Sequence, residues 1–249
     1  MDIGERLVKA LEFETIFTIR LGGLEIPITE TVLISWIVMA VLVAASLLVT
    51  RSLKRIPAGF QSLLEAGIEF LESFSKRYFG RRSGLYGPYI GTIFLFLLVA
   101  NIIPVLTPIA FRFGGRTFEP LFEIKPPTRD INLTAAMAVM SILVVFFGGL
   151  GARGIKGWLK NLLHPVPIML PFNILDYAIR PASLCLRLFG NILGGFIIMQ
   201  LITAVVPVFI PPFFSLYFDF FDGLIQALVF SFLTTLFLSE AVETDHADA

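Results

Sequence analysis

Arg187 stands in the run Ser183-Leu184-Cys185-Leu186-Arg187-Leu188-Phe189-Gly190-Asn191, inside a stretch long and apolar enough to lie within a lipid bilayer. A guanidinium keeps its charge even where desolvation is costly, because it holds its proton far too tightly to lose it near neutral pH. A cation fixed at membrane depth therefore does electrostatic work: it holds a carboxylate ionised, turns cations away, or binds an anionic substrate. A bland role also exists, in which the side chain snorkels to an interface or neutralises a structural acid. Residues four apart stack on one helical face, so Ser183, Arg187 and Asn191 form a single polar stripe. Gly190 and Gly194 open a smooth patch nearby, suited to ordinary helix packing or to a partner that moves past.

A second stripe lies in the last apolar stretch, where Asp219, Asp222 and Gln226 recur at spacings of three and four. An antiparallel turn over Pro207 to Pro212 brings the two stripes face to face. Asp219 and Asp222 then stand opposite about residues 198 to 201, roughly three to four turns outside Arg187, where a proton inlet would begin. Their position near a helix start offers an alternative, since acids there complement the macrodipole. Asp176 lies about 16 Å before Arg187 along a helix, on the other side. Together with Ser183 and Glu240 it outlines a candidate outlet. Glu240 and Glu243 end their helix at a water boundary, where carboxylates are ordinarily solvated.

These stripes need a membrane scaffold, and the composition supplies one. Of 249 residues 56% are hydrophobic and only 15% charged, with a mean hydropathy of +0.85, which excludes a soluble domain. The balance of 19 basic and 19 acidic residues carries no signature for a polyanion, so nucleic acid is not expected as a partner. The lone Cys185 excludes an internal disulfide, and His164 and His246 have no neighbours at metal-ligand spacing. Neither a metal nor a cofactor is expected. The charged first thirty residues do not read as a secretory signal peptide.

The fold class is an all-α integral membrane protein, a single membrane domain over 1–249 with about five transmembrane helices and one interfacial helix. Residues 1–30 form an outer N-terminal segment, and 31–49, free of charge, make the first span. Over 58–78, Phe60, Leu63, Leu64, Ile68, Leu71 and Phe74 oppose Glu65, Glu69 and Glu72, as on an amphipathic helix lying along the interface. A helical hairpin covers 89–151, with spans Tyr89 to Phe111 and Leu133 to Gly151 around a polar, Pro- and Gly-rich segment 112–132. Pro165, Pro167 and Pro171 separate it from the channel hairpin 173–242, whose helices of near thirty residues should tilt strongly. A tail over 243–249 closes the chain. Seven basic residues between Arg51 and Pro88 and three between Ala152 and Phe172, against four in the outer loop, put the N-terminus outside and the C-terminus in the cytoplasm. No inverted repeat is evident.

Leu186-Arg187-Leu188-Phe189-Gly190-Asn191, with Gly223-Leu224-Ile225-Gln226-Ala227, resembles subunit a of the F-type ATP synthase. Pro57, Gln61, Glu65, Asn101 and the run Pro127-Thr128-Arg129-Asp130-Ile131-Asn132-Leu133-Thr134 extend the resemblance over most of the chain beyond about Glu30. The resemblance implies a stator subunit that carries no bond chemistry of its own and works against the c-ring of the rotor. It implies peripheral-stalk b subunits and the whole synthase as partners, membrane lipid around it, and the proton as the translocated species. Arg187 would be the essential stator arginine, and Asn191 and Gln226 would line the channel. Phe196 departs from the pattern, because many relatives carry a carboxylate after the pair matching Gly194-Gly195. Asp219 falls where some relatives have His. The expected location is the inner (plasma) membrane of a bacterium, with an energy-transducing organelle membrane as the other option. The competing classes are a self-contained secondary transporter, with Arg187 binding an anionic substrate, and a scaffold in which Arg187 is a packing ion pair.

Overall fold

The computed structural model describes residues 15–21, 24–51, 59–106, 111–113, 116–118, 125–163, 167–205 and 210–243. A hairpin of β1 (Thr15–Leu21) and β2 (Leu24–Thr29) leads into helices α1 (Glu30–Arg51), α2 (Phe60–Phe79) and α3 (Ser83–Ile102). A second hairpin, β3 (Phe111–Phe113) with β4 (Arg116–Phe118), precedes α4 (Ile131–Leu163). Helix α5 (Leu170–Val205) follows. The last span is composite: α6 (Ile210–Ser215), a π-helical stretch Leu216–Asp222, and α7 (Gly223–Val242). Five helical runs among the described residues are long and apolar enough to cross a membrane: Glu30–Arg51, Leu64–Ile102, Ile131–Lys160, Leu170–Thr203 and Phe213–Val242. The protein is thus an all-α integral membrane protein, as its composition predicts.

Several boundaries differ from expectation for local reasons. The amphipathic helix forms as α2, but a 3-10 turn over Gly80–Arg82 joins it to α3, which starts at Ser83 rather than Tyr89. Pro88 remains inside α3, as membrane helices allow when neighbouring groups satisfy the freed backbone. At its far end α3 stops at Ile102 and tightens into a 3-10 turn holding Pro104, which disfavours helix in the residue before it. Helix α4 does not end near Gly151. It breaks at Gly154 (φ 69°, ψ 169°), a conformation that only glycine adopts readily, and resumes to Leu163. Arg153, Lys156 and Lys160 therefore sit on helix rather than in a loop. Neither hairpin was anticipated in segments read as an outer terminus and a polar loop. β1 pairs antiparallel with β2 from Thr15↔Thr29 to Leu21↔Leu24, and β3 with β4 from Phe111↔Phe118 to Phe113↔Arg116.

These elements gather into two compact units. The described parts of Met1–Ser52, Leu95–Leu133 and Phe189–Ala227 make one, in which Ile34, Val38 and Ala100 form a buried apolar cluster against Leu42, Phe96 and Val99. The described parts of Leu53–Phe94, Thr134–Leu188 and Leu228–Ala249 make the other, with Phe79, Tyr86, Ile90, Val145, Leu238 and Val242 at its centre. In this second unit Gly148 and Gly149 let α4 approach α7 closely. A Cβ on Gly148 would stand 2.9 Å from Leu238 Cδ1, and one on Gly149 would stand 3.3 Å from the Ala241 carbonyl oxygen. Small residues serve membrane helices this way, because lipid provides no hydrophobic drive for helices to associate.

Candidate functional site

Helix α5 has two contrasting faces. Leu184, Leu188 and Ile192 are buried at 3%, 0% and 7% exposure, while Ser183, Arg187, Gly190 and Asn191 are exposed. The polar stripe expected from spacing therefore points out of the chain rather than into its core. Arg187 has no hydrogen-bond or ion-pair partner among the described residues, although it stands well inside a 34-residue apolar span. Beside it, a Cβ on Gly190 or Gly194 would meet nothing within 4 Å, whereas one on Gly195 would lie 3.2 Å from the Phe218 ring. The smooth patch is thus confined to the side that the chain leaves open.

One turn beyond Arg187, the Asn191 side-chain amide donates to Gln226 Oε1 at 2.9 Å, joining the stripes of α5 and α7. Gln226 is 1% exposed, so this bond satisfies an acceptor that could not otherwise be buried at low cost. In the same unit Asn101 donates through Nδ2 to the Gly223 carbonyl at 3.4 Å and accepts from Thr128 Oγ1 at 2.6 Å. Gly223 permits that approach, since a Cβ there would come 2.9 Å from Asn101 Cβ. Asp222, half-buried, precedes Gly223 and ends the π-helical stretch. The α-helical spacing that grouped Asp219 with Asp222 does not apply within this stretch, because i→i+5 bonding rotates residues differently from an α-helix, whereas Asp222 to Gln226 still spans one α-helical turn. Asp219 lies on that stretch and its side chain is outside the described residues. Phe196 carries the Arg129 guanidinium over its ring at 4.4 Å, and Arg129 itself is 2% exposed.

On the other arm of α5 the candidate outlet acids converge on a residue that spacing did not single out. Arg180 grips Glu240 in bidentate fashion, with Nη1 to Oε2 at 2.8 Å and Nη2 to Oε1 at 3.1 Å. It stands 3.8 Å from Asp176 and packs over the Phe237 ring at 4.9 Å. Arg153 donates to the main-chain carbonyls of Glu240 and Glu243, which closes the end of α7. Ser183 has no side-chain partner among the described residues. The signal for Arg180 was present: it follows Asp176 by one turn and precedes Arg187 by two. Asn101, Thr128 and Arg129 gave no signal through period or charge and were visible only through the resemblance.

The fold and these contacts define a class: an all-α, multi-pass integral membrane protein whose spans carry paired amides, gripped acids and an outward cation. The family model described as the ATP synthase A chain matches residues 32–239, and the chain belongs to that family. It is accordingly the proton-translocating stator subunit in the general sense, a component of the ATP synthase complex.

Proposed function

We propose that this chain forms two offset proton half-channels against the rotating c-ring, with Arg187 separating them and stabilising each rotor carboxylate once it has lost its proton. The observation that carries the reading is the outward Arg187 within an apolar span, without an acid of its own chain among the described residues. A permanent charge at that depth calls for an opposite charge, and the open side of α5 leaves room for one on another subunit. Gly190 and Gly194 are the surface along which that subunit slides. Asn191, Gln226, Asp222 and Asp219 form the inlet. Ser183, Asp176 and Glu240 form the outlet, with Arg180 fixing both acids.

The energetics fit the task. A carboxylate in lipid stays neutral because ionising it there is expensive. An opposite charge within about 4–6 Å eases ionisation by about 1.4–4 kcal/mol. One proton falling through 100 mV delivers about 2.3 kcal/mol, so without the arginine the release step would consume the drive for rotation. The same cation repels protons from crossing directly between inlet and outlet. A self-contained anion transporter would enclose its cation in a cavity. Exposure of Arg187 on one helix face supports the stator reading instead.

The basic residues between Arg51 and Pro88 support an inside placement of that segment, with the N-terminus outside, in a bacterial inner membrane where peripheral-stalk b subunits hold the chain still. Cross-linking in the intact synthase tests the assignment. In a Cys185→Ala background, Gly190→Cys should form a disulfide with a cysteine placed beside the rotor carboxylate. A Gly190→Cys thiol that reacts with a lipid-soluble maleimide but never with the rotor would overturn it.

A further inference from the structure

A cleft of about 670 Å³ lies between the start of α3 and the middle of α4, outside the candidate channel and within one unit of the fold. Its mouth holds Arg82, an exposed residue of the 3-10 turn between the interfacial helix and the span. Arg82 uses one nitrogen, Nη1, to donate to the Val242 carbonyl at 2.8 Å, which anchors the guanidinium and leaves its other donors for a ligand. No carboxylate is among the described residues that line the cleft. Below the mouth the walls are apolar. Leu85, Leu143 and Phe147 stand 71%, 48% and 62% exposed there, uncovered by the chain's own side chains. At the mouth, Gly151 leaves a gap in the α4 wall, since a Cβ there would meet nothing within 4 Å.

The dimensions select among occupants. From Ala152 at the mouth to Met140 at the floor, α4 covers about 18 Å. One leaflet of a roughly 30 Å hydrocarbon core is about 15 Å deep. The floor coincides with the Tyr89 hydroxyl, which lines the cleft and donates to Ser141 Oγ at 3.4 Å. A transmembrane helix from a partner would need a face running the full core. A cationic mouth over an apolar slot one leaflet deep instead matches a charged head group with its tail. Basic pockets between membrane helices on the side facing an anionic leaflet take phosphate head groups for the same electrostatic reason.

We propose that this cleft binds one anionic diacyl phospholipid, its phosphate held by Arg82 and one acyl chain lying between α3 and α4 along Leu85, Leu143 and Phe147. None of the residues that line the cleft is among those assigned to the proton path.

The test uses the intact synthase in vesicles containing phosphatidylglycerol or phosphatidylcholine, each with a photoactivatable diazirine in the acyl chain, followed by peptide mapping. Phosphatidylglycerol should label residues 140–152 about fivefold more than phosphatidylcholine, the preference one interfacial arginine gives. Exposed Val43 and Leu48 on α1 serve as the reference, labelled alike by both lipids. Arg82→Gln should reduce the preference to parity, and Arg82→Lys should retain it. Gly151→Leu fills the slot without a backbone clash and should abolish labelling by both lipids while ATP-driven pumping persists. Equal labelling of the wild type by the two lipids, labelling undiminished in Gly151→Leu, or cross-links from the cleft to another subunit would each overturn the proposal.

Discussion

The Asn191–Gln226 hydrogen bond allows a structural role to be separated from a transport role. Among the described residues Asn191 is the hydrogen-bond partner of the Gln226 side chain, at 2.9 Å, and Gln226 is 1% exposed. Asn191→Leu leaves a buried amide oxygen without its donor, at a cost of about 1–3 kcal/mol. Gln226→Met has a milder effect, because the exposed Asn191 amide can turn to other partners. Removing both polar ends should be nearly neutral, since no buried polar atom is then stranded. The coupling energy should fall at about 0.6–1.7 kcal/mol, the range for hydrogen bonds between membrane helices. Thermal inactivation of the purified complex reads stability, and ATP-driven acidification of inverted vesicles reads transport. Asn191→Leu with Gln226→Met should regain wild-type stability yet pump slowly, because an apolar pair cannot pass a proton. Recovery of pumping together with stability would refute the inlet reasoning and assign the pair to packing.

Gly190→Leu should leave the chain as stable or up to about 1 kcal/mol more stable, because the space beside Gly190 is empty and glycine is a weak helix former. In the assembled complex it should stop rotation, and wild-type pumping would show that no partner passes there. For Arg180, the bidentate contact to Glu240 and the stacking on Phe237 together contribute about 1–2 kcal/mol, discounted because Glu240 is 63% exposed. A double-mutant cycle with Arg180→Ala and Glu240→Ala should yield a coupling of about 0.5–1 kcal/mol in thermal inactivation. A coupling of zero would mean that the contact does not hold the end of α7.

Much of the scaffold was legible because lipid imposes one dominant rule: long uncharged runs must become helices that satisfy their own backbone. That rule placed the spans of α1, α5 and α7. It also put Arg187 with Ser183 and Asn191 on a shared face, since α5 stays helical through Pro181. What escaped depended on local or tertiary choices that hydropathy does not record. Gly154 breaks α4 through a positive φ, and the π-helical stretch shifts the register of Asp219 and Asp222 without changing composition. The hairpin Thr15–Leu21 with Leu24–Thr29 carries a signal in its β-branched residues around Gly22-Gly23, but a weaker one than the long apolar runs that follow. In the sequence Arg180 reads as an ordinary interfacial charge, because it stands near the end of a span. Its grip on Glu240 depends on a residue sixty positions away.

The most direct test concerns Arg187 itself. ATP-driven proton pumping by the intact complex carrying Arg187→Gln should fall to background while subunit composition and thermal stability remain those of the wild type, because the side chain has no partner among the described residues of its own chain. Pumping at the wild-type rate in Arg187→Gln would contradict the account. Loss of the chain from the complex would contradict it as well, since the arginine would then be a packing residue.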